Sequence, residues 1–226
     1  MLCKICDVRD LPTALGCAEL GTTHLGLHCI DGIKAERRDR FVEIAREVPR
    51  QWPSVGIVMV TKLAALEPIV SMAEVLLPTH IQLHNSDWDG RSITQLRASL
   101  AGARLHNVRI VGVATPTQER ARYRELSSVT DLVIVDSSFW GEARRGDSYP
   151  PSAYLNPVSW VRAAGVPVLI AGGITPTNIS EYLSFASPDG VDIQRAVKVP
   201  QGSGIDLRLV EEVIGVLKLY DKSGET

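Results

Sequence analysis

What the chain lacks narrows it first. No apolar stretch approaches the roughly 18 residues needed to cross a bilayer. The opening residues, MLCKICDVRD, lack the charged-then-apolar layout of a secretory signal. A cytoplasmic protein with no membrane partner is therefore expected. Basic clusters are missing too: 24 Lys and Arg stand against 26 Asp and Glu, for a net charge of -2. No basic run is longer than a pair such as Arg37-Arg38. The electrostatic footprint of a nucleic-acid binder is absent, and small molecules become the expected ligands. Cysteine is scarce, with Cys3, Cys6, Cys17 and Cys29 its only four positions. A chain of 226 residues buries a core without disulfides, so all four are read as reduced thiols. Cys3 and Cys6 form a CxxC, but no second pair follows. Residues three apart on a strand point to opposite faces, so no metal is expected there. Internal repeats and low-complexity tracts are also lacking.

What is present is ordinary globular material, 45% hydrophobic and 22% charged. Short apolar, β-branched runs alternate with longer segments of helical period, the pattern of βα units around a parallel sheet. Strands are expected at 2–6, 24–28, 55–60, 80–84, 108–113, 132–136, 166–170 and 191–193. Helices are expected at 11–20, 38–48, 67–76, 92–101, 118–126, 157–164, 178–185 and 207–219. Eight such units at this length predict a single (β/α)8 barrel domain spanning 1–226. Segment 137–156, rich in Gly, Pro, Arg and Ser, reads as a long mobile cover after the sixth strand.

Barrel enzymes place their chemistry on the strand-to-helix loops, so polar residues at strand ends are the candidates. Gly172 and Gly173 follow the very apolar seventh strand and lead into a helix. Glycines there let the backbone approach an anion with its N–H groups, and phosphate contact is the favoured reading. The alternative is a plain turn with Thr177 as the helix cap. Cys6 ends the first strand on the same face as Lys4, while Cys3 and Ile5 face outward. A thiol at a barrel mouth can act as a base if cationic neighbours favour its thiolate, whereas Asp7 beside it works against that. The alternative is a small buried hydrophobe. Asp136 leaves an apolar strand at the mouth, where partial desolvation suits a general acid. It could instead cap the next loop. Gln82 and His84 end the fourth strand as candidate ligand contacts, with a structural histidine the alternative.

In this order, Lys4-Ile5-Cys6, Leu25-Gly26, Val55-Gly56-Ile57, Ile81 to His84, Val135-Asp136-Ser137, Pro167 to Asn178 and Gly190-Val191-Asp192 resemble phosphoribosylanthranilate isomerase, a tryptophan-pathway enzyme family. The resemblance spans nearly the whole chain and implies a ribulose-phosphate-binding type of barrel. It also implies an Amadori rearrangement of an N-(5-phosphoribosyl) arylamine to an aminoketose, without cofactor or metal, in a monomer or homodimer. Asp136 would then be the general acid that opens the ribose ring, and Cys6 the general base that removes the C2 proton. Gln82, His84, Gly172, Gly173, Asp192 and Arg195 would contact the phosphosugar substrate. Lys34 stands where the family has a substrate-binding arginine.

The chain departs from the family pattern in its loops. KICG reads Lys4-Ile5-Cys6-Asp7, and QLHG reads Gln82-Leu83-His84-Asn85. D-x-S-S-G-x-E reads Asp192-Ile193-Gln194-Arg195-Ala196-Val197-Lys198. A glycine-rich segment is replaced at 139–146. These changes keep two alternatives open: a relative acting on another phosphosugar conjugate in a specialised pathway, and a non-catalytic barrel that binds a phosphorylated metabolite.

Overall fold

The computed structural model describes residues 1–33, 35–138, 149–200, 202 and 204–223. Eight parallel strands close on themselves in chain order: β1 (Leu2–Cys6), β2 (His24–His28), β3 (Gly56–Thr61), β4 (His80–Leu83), β5 (Arg109–Ala114), β6 (Leu132–Asp136), β7 (Val168–Ala171) and β8 (Gly190–Ile193). The helices between them are α1 (Leu11–Leu20), α2 (Ala35–Gln51), α3 (Leu66–Leu76), α4 (Gly90–Gly102), α5 (Arg120–Val129), α6 (Ser152–Arg162), α7 (Ile179–Ala186) and α8 (Leu207–Ser223). This is the (β/α)8 barrel the alternation predicts. Among the described residues, no helix is long and apolar enough to cross a membrane.

Period-two alternation divides each strand between two cores. Outward residues such as Ile5, Leu25, Ile57, Ile81, Val133 and Ile170 pack with the helices in the main apolar cluster. Inward residues Val111, Val113, Leu132, Ile134, Leu169 and Ala171 form a separate cluster inside the barrel. Local signals bound two of the helices. Asp10 accepts from Thr13 N at 2.9 Å to begin α1, and Gly21, at φ 106°, ends it. Asp89 and Ser92 form a capping box at the start of α4.

Most boundaries shift by one to a few residues from the pattern reading, and two of the shifts have a physical reason. β7 begins at Val168 rather than 166, because Pro167 has no N–H to donate to the ladder, although its carbonyl accepts from Val133. α6 begins at Ser152 and runs through Pro157, so the segment after β6 is shorter than the expected 137–156 loop. Tyr154, Pro157, Val158 and Val161 form one buried stripe, and the Tyr154 hydroxyl donates to the Ala171 carbonyl at 2.8 Å. That packing offsets the hydrogen bond lost at the proline. The expected cover segment lies largely in 139–148, outside the described residues.

Candidate active site

The site is built upward from β1. Lys4 and Cys6 both point into the barrel, and both are buried. Lys4 is fully enclosed, and its Nζ donates to Asp192 Oδ2 on β8 at 2.8 Å. Burial pushes the Lys4 ammonium down, but Asp192 and Cys6 outweigh it and the net shift is upward, so Lys4 stays charged. Asp192 Oδ1 is buried and has no hydrogen-bond partner among the described residues. Gly26 on β2 makes room for this arrangement. A Cβ there would lie 2.8 Å from Cys6 Sγ and 3.2 Å from Lys4 Nζ.

Cys6 Sγ sits 3.2 Å from Nε2 of His28, at the end of β2. Burial pushes the thiol up to about 11, with Lys4 pulling it down and Asp192 raising it. The neighbouring acid that opposes the thiolate is therefore Asp192, not Asp7 as the sequence suggests. Asp7 adopts φ 64°, the left-handed region where a glycine is at ease, and its side chain turns to basic partners. Arg9 donates to both of its oxygens, at 3.0 and 2.7 Å, and Lys198 Nζ reaches Oδ2 at 3.0 Å. Burial raises the Asp7 carboxyl, but these hydrogen bonds and the facing charges outweigh it, and the net shift is downward. Two departures from the family pattern, Asp7 after β1 and Lys198 after β8, thus meet as an ion pair.

Across the mouth, Asp136 ends β6, buried, and its Oδ1 accepts from Ser138 N at 2.8 Å and Ser138 Oγ at 2.7 Å. The loop-capping role is thus present alongside its position at the mouth. Gly172 packs directly on this corner, since a Cβ on it would lie 2.0 Å from Ser137 Oγ and 3.0 Å from Asp136 Oδ1. Gly172 and Gly173 have φ of 88° and 74°, conformations an L side chain rarely adopts. The cap of α7 is Asn178 rather than Thr177. Its side chain ties the turn by accepting from Thr175 N and donating to Gly173 O.

One cavity of about 770 Å³ at the C-terminal ends of the strands collects these groups. Cys6, Gln82, His84, Asp136, Gly172, Gly173, Asp192 and Arg195 all line it. Gln82 Oε1 is buried with no hydrogen-bond partner among the described residues. Burial first, then the charge of Lys62, lowers His84 to about 4, so it presents a neutral imidazole. Lys34 lies outside the described residues. Among the described residues no group of three or more His, Cys, Asp or Glu could hold a metal. All four cysteines are free.

Sequence reasoning places His28 and Lys62 at strand ends and Thr175 in the turn after β7 without giving any of them a role, and it misses Ser138; all four line the same cavity. Alternation on β2 puts His28 on the inward face with His24. Its meeting with Cys6 depends on strand register, here Cys6 opposite Gly26, which no local pattern encodes.

Comparison with known proteins follows the same outline. The family model for N-(5'-phosphoribosyl)anthranilate isomerase matches residues 3–215. The chain belongs to the phosphoribosylanthranilate isomerase family. It is 29% identical over 203 residues to N-(5'-phosphoribosyl)anthranilate isomerase of Haloferax volcanii, covering 88% of this chain and 85% of that one. With isomerase 2 of Methanosarcina mazei it shares 27% over 217 residues, 94% and 92% of the two chains. Among solved structures, the Thermus thermophilus phosphoribosyl anthranilate isomerase superposes with a TM-score of 0.74 at 22% identity, over 97% of this chain and all of that one. A family structure in complex with reduced 1-(o-carboxyphenylamino)-1-deoxyribulose 5-phosphate gives 0.72 at 20% identity, over 96% and 98%.

Proposed function

We propose that this chain is an aldose–ketose isomerase that converts phosphoribosylanthranilate, or a close N-(5-phosphoribosyl) arylamine, to its aminoketose. The observation that carries this reading is one cavity lined by a thiol on β1 and a carboxyl on β6. The two lie three strand spacings apart around the wall, each about 4.8 Å, which leaves room for a pentose between them. Asp136 donates a proton to the ring oxygen, and the ring opens to an iminium. Cys6 then removes the C2 proton, and the resulting enolamine tautomerises to the ketone.

The substrate's other groups have matching partners. Gly172 and Gly173, with Arg195 beside them, form the end that takes the phosphate. Gln82, with its unsatisfied oxygen, and the neutral His84 face the sugar hydroxyls. The ligand captured in a family structure carries a carboxyphenylamine, a deoxyribulose and a 5-phosphate, the three parts this cavity would have to sort. No cofactor is needed for proton transfers of this kind. Either a monomer or a homodimer suits the reading; the Thermotoga maritima relative is described as dimeric.

A second reading rests on the loop after β8. Arg195 stands where the family pattern has a serine, which favours a relative tuned to a different phosphosugar conjugate. A coupled assay with freshly made phosphoribosylanthranilate separates the two. Turnover in the ordinary enzyme range, roughly 1 to 1000 per second, supports the first reading. Binding of a sugar phosphate without turnover supports the second.

A further inference from the structure

A thiol is a base only after it has given up its own proton, so the role assigned to Cys6 raises the question of where that proton goes. Lys4 has only protons to donate and cannot take one from the thiol. The acceptor that the structure sets against Sγ is His28 Nε2, at 3.2 Å. On the other side of the same ring, Nδ1 faces Asp7 Oδ1 at 3.6 Å, an ion-pair distance longer than a hydrogen bond. Thiol, imidazole and carboxylate thus stand in line, in the order of a nucleophile or base, its proton acceptor, and the group that orients the acceptor.

We propose that His28 is the proton partner of Cys6 and that Asp7 is the positioning residue that fixes the tautomer and orientation of His28. This rests on the isomerase reading for its catalytic use, but the proton transfer is a property of the folded chain alone.

Burial holds the thiol at about 11 and His28 at about 4, so both are uncharged at neutral pH. The resting hydrogen bond is then S–H to Nε2, which requires the proton of the ring on Nδ1, toward Asp7. Arg9 and Lys198 keep the Asp7 carboxylate ionised and ready to face an imidazolium. The groups facing His28 are Asp7, Lys4, Asp192 and His84, two anions against one cation and a neutral ring. The Lys4 ammonium, on the same inward face, favours a thiolate. In the reaction the S–H proton moves to Nε2, and the thiolate takes the C2 proton while the C2–H electron pair becomes the enolamine double bond. Ketonisation then protonates C1 from sulfur and passes the C2 hydroxyl proton to Asp136. The imidazolium finally returns its proton to Cys6, so every group ends as it began.

The test is the pH dependence of iodoacetamide alkylation at Cys6, followed by peptide mass spectrometry on the intact chain without substrate. The attraction between thiolate and imidazolium across 3.2 Å lifts the ion pair well above the population that the separate values alone would give, so coupling predicts a rate nearly flat from about pH 5 to 7, where internal transfer outruns loss of the proton to solvent. His28→Gln should abolish the plateau, leaving a tenfold rise per pH unit and a rate at pH 6 at least tenfold below wild type. Asp7→Asn, which an asparagine accommodates at positive φ, should lower the plateau several-fold and serves as the second variant if His28→Gln does not fold. A wild type with no plateau, or a His28→Gln protein that keeps it, overturns the proposal, and an unchanged plateau in Asp7→Asn overturns the role of Asp7. Turnover of phosphoribosylanthranilate by the same wild-type sample is read separately. A plateau without turnover removes the isomerase reading and leaves the proton pair standing; turnover without a plateau does the reverse.

Discussion

The interior of this barrel has two unlike halves. From β5 to β7 the inward side chains are Val111, Val113, Leu132, Ile134, Leu169 and Ala171, a dry apolar arc. On β8, β1, β2 and β4 the same inward face carries Asp192, Lys4, Cys6, His24, His28, His80 and Gln82. One half is held by packing alone, while in the other paired charge and hydrogen bonds stand beside the inward Val58 and Val60 of β3, which pack on Cys6. The acid of the proposed reaction sits on the lip of the apolar arc, and the base inside the polar one. The two groups thus have different neighbours: the thiol lies beside His28, and the carboxyl accepts from Ser138.

The sharpest way to break the comparison is to silence one lip at a time. Cys6→Ala and Asp136→Asn should each lower kcat/KM for phosphoribosylanthranilate by about 10² to 10⁴, the usual worth of a positioned acid or base. Loss from only one of the two would leave a single-sided mechanism in which the other group is structural. Next in size is the difference in stability between the halves. Lys4→Met leaves the buried Asp192 carboxylate unpaired and should cost about 3–5 kcal/mol in urea unfolding. Ile134→Val, inside the apolar arc, should cost about 0.5–1.5 kcal/mol. Adding Asp192→Leu to Lys4→Met should recover much of the loss. If the single Lys4 variant is as stable as wild type, the charged half is not held by this pair.

How much of this could be read in the sequence follows from the same division. The apolar arc and the outer core were legible because period-two alternation and helical spacing are local, and they placed Asp136 at the end of β6. Cys6 with Lys4 inward, and Gly172-Gly173 after β7, were legible for the same reason. The partners were not. Lys4 meets Asp192, Cys6 meets His28, and Asp7 meets Lys198, across separations of up to 191 residues fixed by closure of the sheet. The sequence placed Asp7 against the thiol because the two are adjacent. A positive φ turned the carboxylate away, toward Arg9 and Lys198. The start of α6 was lost to a proline that reads as a boundary and is in fact part of the buried stripe.

A smaller effect comes from acid. Burial pushes His24 to about 3 and His28, His80 and His84 to about 4, against an ordinary value of 6.5. An imidazole held neutral in the native state lets the unfolded chain bind the extra proton. Its contribution to stability is therefore complete above pH 6.5 and is lost as pH falls toward 4. One pH unit below the ordinary value the loss is roughly 1 kcal/mol per imidazole. Urea midpoints should fall steadily from pH 7 to 5.5. His80→Gln, remote from the mouth, should make that slope visibly shallower without changing turnover. A pH-independent midpoint would mean that the polar half admits protons freely.

The finest distinction lies within the mouth, between the Gly172-Gly173 turn and the loop after β8. The turn offers backbone N–H groups whose geometry is set by positive φ at both glycines, and no side chain can vary it. The loop offers Arg195, an exposed cation on a 3-10 turn spanning Arg195–Val197. A cation that grips the 5-phosphate equally before and during the reaction contributes uniform binding. Arg195→Ala should therefore raise KM roughly five- to tenfold with kcat within twofold of wild type. The effect should vanish on a substrate without the phosphate. The triple replacement Gln194→Ser, Arg195→Ser and Ala196→Gly then asks which conjugate the loop serves. If Arg195 holds this phosphate, the triple variant loses affinity as the single one does. A rise in kcat with phosphoribosylanthranilate would instead show that the loop obstructs this substrate and that its arginine is aimed at another.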